Sequence, residues 1–85
     1  MIVKLTKIQF DYLDHGLTEK QEDLRLKLKT KSGDRYVYIE VNEDTADEIR
    51  DWAGEELQKK GFDINYKLTP EGKILEDLID AFYKG

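Results

Sequence analysis

The sequence contains no cysteine and only one proline, one histidine and one tryptophan among its 85 residues. The lack of cysteine excludes disulfides, thiolate nucleophiles, iron–sulfur clusters and the usual structural zinc sites. No apolar run approaches the roughly 18 residues of a membrane span, and Lys4 and Lys7 interrupt the opening segment where a signal peptide requires continuous apolar residues. We therefore expect a cytoplasmic protein that does not bind membranes.

Catalytic and cofactor-binding motifs are also lacking. His15, beside Gly16, is expected in a loop with no cysteine or motif-placed serine as a partner. Gly72-Lys73 lacks the upstream glycine and the following Ser or Thr of a phosphate loop. The 19 acidic residues make some neighbouring pair of carboxylates inevitable, so such a pair is no sign of acid–base catalysis. The sequence predicts a non-enzymatic protein without cofactor or metal.

The chain nevertheless has the composition of one small folded domain, expected to span residues 1–85. Hydrophobic residues make up 39% of it, and they include one Trp, five Tyr and three Phe. Size scaling predicts that folding buries about 64% of the surface of the unfolded chain. That is enough for one thin hydrophobic core.

Hydrophobic spacing predicts four strands and two helices in the order β-β-β-α-β-α. These are a strand over 2–13 with a bulge near Thr6 and Lys7, a polar loop over 14–23, strands over 24–28 and 35–41, a helix that starts between Asn42 and Thr45 and closes at Gly61, a strand over 62–68, and a helix from Pro70 to Phe82 capped by Thr69. The expected fold is α+β, with an antiparallel sheet of three to four strands packed on one face by two helices.

The hairpin formed by the second and third strands has the most defined predicted register. A loop of two or four residues within 31–34 places six apolar side chains on one face, in the pairs Leu28–Val37, Leu26–Ile39 and Leu24–Val41. A three-residue loop would place Leu26 opposite Tyr38 and mix the two faces.

The strongest functional signal is the charge of residues 40–56, which include most of the helix that follows residue 42 and hold eight acidic residues against one base, Arg50. At about 100° per residue, five carboxylates lie within an arc of about 100° opposite Ala46 and Ala53: Asp44, Asp47, Glu48, Asp51 and Glu55. Three like-charge i,i+4 pairs in this set each cost about 0.2 to 0.5 kcal/mol. These residues are therefore a candidate docking surface for a basic protein, and the alternative is an ordinary solvated helix face.

Basic and aromatic residues interleave on the outer face of the predicted hairpin: Arg25, Lys27, Lys29, Tyr36 and Tyr38. Such a face can follow phosphates and stack bases, so weak binding of single-stranded nucleic acid is an alternative function. A solvated sheet face whose Lys stems pack on Tyr rings gives the same pattern. A net charge of -5 makes nucleic acid the less favoured partner.

Surface recognition is the function that these patterns favour. We expect the acidic helix to dock on a basic protein, such as one that binds nucleic acid, and to inhibit or regulate it. Small acidic nucleic-acid mimics, including viral anti-restriction and anti-CRISPR proteins, are similar in charge and size, which is an analogy of class and not of motif. A scaffold or designed domain without a ligand is the remaining alternative. The expected assembly is a monomer or weak homodimer.

Overall fold

A three-stranded antiparallel sheet and four helices make up residues 1–83, the part of the chain that the computed structural model describes. This confirms an α+β fold. In chain order the elements are β1 (Ile2–Thr6), α1 (Lys7–Lys20), α2 (Glu22–Leu26), β2 (Lys29–Ser32), β3 (Tyr36–Glu40), α3 (Glu43–Lys60) and α4 (Pro70–Phe82). The element order is therefore β-α-α-β-β-α-α, and the predicted order β-β-β-α-β-α is wrong.

The sheet has the strand order β1-β3-β2, and one of its faces is buried. In the β1–β3 pair, Val3 lies opposite Ile39 and Leu5 lies opposite Val37, and all four side chains are buried. Helices α1 and α4 pack on this face. The opposite face of β1 and β3 is largely exposed, as the alternation of apolar and polar residues predicts.

The predicted long first strand ends at Thr6, because a helix cap follows it. The Thr6 hydroxyl accepts a hydrogen bond from the Gln9 backbone N–H (3.2 Å), and the Gln9 side chain accepts one from the Thr6 N–H (2.9 Å). In α1, Leu13 and Leu17 are four residues apart and both are buried, whereas Ile8 is 71% exposed. The change of phase that predicts a bulge is the start of α1, and α1 replaces most of the predicted loop over 14–23.

The predicted register of the hairpin is also wrong. Leu24 and Leu28 are buried but Leu26 is 75% exposed, which is the i,i+4 pattern of a helix. Strand β2 starts only at Lys29, so Thr30 pairs with Ile39, four residues further along than predicted. The Gly33 N–H donates to the Tyr36 carbonyl (2.7 Å), and two residues lie between Gly33 and Tyr36. The turn therefore has an even number of residues, as predicted.

Helices α3 and α4 are present as predicted, with one difference in the cap of α3. The Asn42 side chain, and not that of Thr45, caps α3 by accepting from the Thr45 N–H (2.7 Å). Thr69 caps α4 by accepting from the Gly72 N–H (2.9 Å). A Cβ on Gly72 would lie 2.2 Å from the Gly61 carbonyl oxygen, so glycine at position 72 is what lets the start of α4 lie against the end of α3.

The predicted fourth strand over 62–68 is not formed. The structure has only an isolated bridge between Phe62 and Leu68 in this segment. The Asp63 carboxylate instead accepts from the N–H groups of Asn65 (2.8 Å) and Lys67 (3.0 Å), which folds the segment into a loop. Tyr66 has a φ of 61°, a left-handed conformation that interrupts an extended chain. None of the helices within residues 1–83 is long and apolar enough to cross a membrane.

Candidate functional site

The five carboxylates predicted as a docking surface all lie on the exposed side of α3. We call them the acidic surface: Asp44, Asp47, Glu48, Asp51 and Glu55. The opposite side of α3 packs into the core through Ala46, Ile49 and Ala53. At 1.5 Å per residue the row is about 16 Å long, with one negative charge per about 4 Å of helix axis.

Part of the acidic surface forms one wall of a groove between α2 and α3. The groove has a volume of about 270 Å³, and Asp23 of α2 faces Glu48, Asp51 and Glu55 of α3 across it. Lys27 lies at the groove with its Nζ 3.5 Å from a Glu48 oxygen, and both side chains are more than half exposed. Such an exposed pair contributes about 0 to 1 kcal/mol, so the groove keeps an excess of negative charge. The sequence missed Asp23 because residues 14–23 are predicted as a loop.

Arg50, the single base within residues 40–56, compensates one of the five carboxylates of the acidic surface. Arg50 forms an ion pair with Asp47, and its guanidinium lies 5.1 Å from the ring centre of Tyr83. Within residues 1–83, no ion pair involves Asp44, Asp51 or Glu55. The uncompensated charge is therefore concentrated on Asp51 and Glu55 inside the groove and on Asp44 near the start of α3.

The predicted basic and aromatic face is only partly assembled. Arg25 lies in α2, where its Nε is 2.5 Å from Asp14 and its guanidinium lies over the Phe10 ring. Lys27 follows α2 and pairs with Glu48, so neither residue lies on the sheet. The predicted position of these two residues on the outer face of a hairpin is therefore wrong.

The exposed face of the sheet still carries bases and aromatic rings, which we call the sheet face: Lys4, Lys29, Lys31, Tyr36 and Tyr38. Lys4 and Lys31 lie on either side of Tyr38 in the strand register, and the Lys4 Nζ is 4.3 Å from the Tyr36 ring centre. Lys4 was missed because nothing in the sequence shows that β1 pairs with β3. Lys31 was missed because it was assigned to the turn.

A second cavity lies on the other side of Trp52, between α1, α3 and the start of α4. This α1–α3 pocket has a volume of about 170 Å³ and is lined by polar and aromatic residues, among them Tyr12, Lys20, Trp52, Glu56 and Glu71. Sequence reasoning did not identify it, because Tyr12 and Lys20 lie on a helix that was predicted as a strand and a loop. The only sequence signal for this pocket is Glu56, an acidic residue on the side of α3 that faces the core.

The Glu56 side chain is only 5% exposed and is held by two lysines. The Lys20 Nζ donates to one of its oxygens, Oε1, at 2.8 Å, and the Lys60 Nζ lies 3.7 Å from the other, Oε2. The hydrogen bond from Lys20 lowers the pKa of the Glu56 carboxyl and raises the pKa of Lys20. The pair is therefore charged on both sides at neutral pH.

The opposite wall of the pocket is formed by Tyr12, whose hydroxyl donates to the Glu71 carboxylate. Burial, and next the hydrogen bond to Glu71, raise the pKa of the Tyr12 phenol well above its usual value. Tyr12 therefore stays protonated and its ring stays neutral over the physiological pH range.

Within residues 1–83, no group of three or more His, Asp or Glu side chains is arranged to hold a metal ion. Comparison of the chain with known proteins gives no match to any protein family, to any curated protein or to any solved structure.

Proposed function

We propose that the protein is a non-enzymatic binding module that docks through its acidic surface on a basic, nucleic-acid-binding protein and inhibits or regulates it. The observation that carries this proposal is the row of exposed carboxylates along α3, with Asp23 extending it across the groove. A basic surface that binds this row would have its positive charges compensated by the carboxylates instead of by its usual ligand.

The spacing of the charges supports mimicry of nucleic acid in particular. The acidic surface carries one charge per about 4 Å of helix axis, and one strand of B-DNA carries one per about 3.4 Å of its axis. Over about 16 Å of axis, the acidic surface therefore has nearly the linear charge density of one DNA strand. A row of this length corresponds to about five phosphates of one strand.

The energetic cost of the row also supports a functional role. Asp51 lies four residues from both Asp47 and Glu55, so it takes part in two repulsive pairs that each cost about 0.2 to 0.5 kcal/mol. A lysine at position 51 would turn both into attractive pairs. Folding alone therefore favours the opposite charge at this position, whereas a basic partner favours the carboxylate.

A pulldown with three immobilised baits tests the proposal: the natural protein, Asp51→Lys and Asp80→Lys. Asp80 is an exposed acid on α4, so its substitution makes the same change in net charge on another helix. We expect a partner that is retained by the natural protein and by Asp80→Lys, and that duplex DNA and high salt release. We expect Asp51→Lys to bind it at least about tenfold more weakly, equal to about 1.4 kcal/mol. Equal retention on all three baits, or release by salt but not by DNA, would argue against mimicry.

Weak binding of single-stranded nucleic acid by the sheet face is a second candidate. The specific observation in its favour is that Lys4 and Lys31 flank Tyr38 on an open face of the sheet. Binding of a labelled oligothymidylate that weakens with salt and is lost in Lys4→Glu with Lys31→Glu would support it. Absence of binding at low salt would exclude this candidate and leave the acidic surface as the proposal.

A further inference from the structure

The segment that joins α3 to α4, residues 62–68, exposes a cluster of apolar side chains, and we call it the apolar loop. Four of the ten large hydrophobic residues that are exposed within residues 1–83 lie in it: Phe62, Ile64, Tyr66 and Leu68. Ile64 is 93% exposed and Tyr66 is 87% exposed. Single exposed apolar residues are ordinary on a protein surface, but a cluster of them marks a contact with a partner or a membrane.

Hydrogen bonds within the apolar loop hold these side chains in place. The Asp63 N–H donates to the Lys67 carbonyl (2.9 Å) and the Tyr66 N–H donates to the Asp63 carbonyl (2.9 Å). At the base of the loop, the Thr69 N–H donates to the Gly61 carbonyl (2.8 Å). Because the loop is already folded, binding through it costs little further ordering of the chain.

The charge around the apolar loop is opposite to that of the protein as a whole. Residues 57–69 contain Lys59, Lys60 and Lys67 against one acid, Asp63, whereas the net charge of the chain is -5. Lys59 and Lys67 are exposed, and within residues 1–83 neither forms an ion pair. The Asp63 carboxylate accepts two backbone hydrogen bonds, which compensate part of its charge. This end of the molecule is therefore both apolar and positively charged.

A second copy of the chain does not match this surface. Two apolar loops placed together would repel each other through their lysines. The acidic surface of a second copy has the opposite charge, but Leu24 and Trp52, the apolar residues of its groove, are each only 6% exposed. Ile64 would therefore find little apolar surface there. An anionic lipid bilayer supplies both negative headgroups and an apolar interior.

We propose that the apolar loop is a peripheral contact with an anionic membrane. Ile64 and Tyr66 enter the boundary between headgroups and acyl chains, where tyrosine is favoured, and Lys59 and Lys67 lie against the headgroups. The lack of a long apolar run led to the expectation that the protein does not bind membranes, but that lack excludes only a spanning segment and not a folded surface loop.

The acidic surface is far enough from the apolar loop to permit this contact. Four of its five carboxylates lie about 15 Å or more from Gly61 along the axis of α3. That distance is nearly two Debye lengths at physiological ionic strength, so their repulsion by the membrane is largely screened. The inference does not depend on the proposed docking function, because it concerns the other end of α3.

Flotation of the full chain with phosphatidylcholine vesicles that contain about 30% phosphatidylserine tests the proposal. We expect half of the protein to be bound at about 1 mM accessible lipid, about tenfold weaker than a single myristoyl chain. Binding should weaken with salt and on vesicles of phosphatidylcholine alone.

Variants with matched controls test each part of the contact. Ile64→Gln with Tyr66→Asn should bind at least about tenfold more weakly, and asparagine tolerates the left-handed conformation at position 66. Leu26→Gln should leave binding unchanged, because it removes an exposed apolar residue from α2. Lys59→Gln with Lys67→Gln should weaken binding about tenfold or more. The same double change at Lys29 and Lys31, on the sheet face, should have a much smaller effect.

Tryptophan placed in the apolar loop measures insertion directly. Trp52 is buried, so on vesicles with brominated acyl chains we expect quenching of the added fluorescence in Ile64→Trp but not in Leu26→Trp. No flotation at about 10 mM lipid, equal binding of the natural protein and Ile64→Gln with Tyr66→Asn, or equal quenching at the two positions would overturn the proposal. A dimer in lipid-free sedimentation that this double variant dissociates would assign the loop to a second copy and overturn it as well. All these loop variants keep the acidic surface, so such results would leave the docking proposal in place.

Discussion

Two glycines in helix interiors make a sharp test of the packing described above. Gly54 of α3 has no atom within 4 Å of the position its Cβ would take, so Gly54→Ala should gain only helix propensity, about 0.5 to 1 kcal/mol. A Cβ on Gly16 of α1 would lie 2.4 Å from Cζ2 and 2.7 Å from Cη2 of the buried Trp52 ring. Overpacking costs about 1 to 3 kcal/mol and the gain in propensity offsets about 0.5 to 1 kcal/mol of it, so Gly16→Ala should lose up to about 2.5 kcal/mol.

Urea denaturation followed by far-ultraviolet circular dichroism measures both free energies of unfolding. For a chain of this size, each kcal/mol corresponds to about 4 to 8 °C in Tm, so opposite signs are easily resolved. Trp52 fluorescence provides a second readout, because only the change at Gly16 touches this ring. Stabilisation by both substitutions would mean that α1 does not approach Trp52 as closely as the structure has it, and would refute the account of this contact.

Further substitutions test three features: the core, a cap and the buried ion pair. Leu78→Ala should lower the free energy of unfolding by about 2 to 5 kcal/mol, because Leu78 is fully buried. Ile64→Ala should change it by no more than about 0.5 kcal/mol, because Ile64 is 93% exposed. Chemical denaturation measures both. Thr69→Ala should cost about 1 kcal/mol, since it removes the cap of α4, and Thr69→Ser should restore most of it. The lowered pKa of Glu56 means that its ion pair with Lys20 stabilises the fold above the unfolded pKa of a glutamate. That contribution is lost as pH falls through the lower folded pKa. Unfolding measured from pH 7 to pH 3 should show Glu56→Gln less stable at pH 7, with the difference shrinking toward pH 3.

Helices α3 and α4 could be predicted because their local signals agree with one another. In α4 the cap at Thr69, Pro70 at the first helical position and the spacing of Leu75, Leu78 and Phe82 all indicate the same helix. The side of α3 that carries Asp51 followed from the same arithmetic, because helical periodicity fixes which side is apolar. These features depend only on neighbours within a few turns.

Residues 7–32 could not be predicted because short apolar runs fit two periods. Leu24, Leu26 and Leu28 alternate like a strand, but Leu24 and Leu28 are also one helical turn apart. Leu24 and Leu28 are buried and Leu26 is not, which is the helical pattern. In α1 the alternation of Ile8, Phe10 and Tyr12 indicated a strand, and the Thr6–Gln9 capping box was not recognised. The pocket at Glu56 was missed for the same reason, since half of it belongs to α1.

The strand order of the sheet has a consequence for how the molecule folds and associates. Strand β3 is central, and it pairs with β2 across a short turn but with β1 across about 30 to 38 residues of chain. The β2–β3 hairpin can therefore form early, while the other edge of β3 stays open until α1 and α2 bring β1 back. During that interval β1 of a second molecule offers the same hydrogen bonds and the same Val3 and Leu5 side chains. A domain-swapped dimer exchanging β1, with its hinge at the Thr6–Lys7 junction, is the misassembly that this topology favours at high concentration.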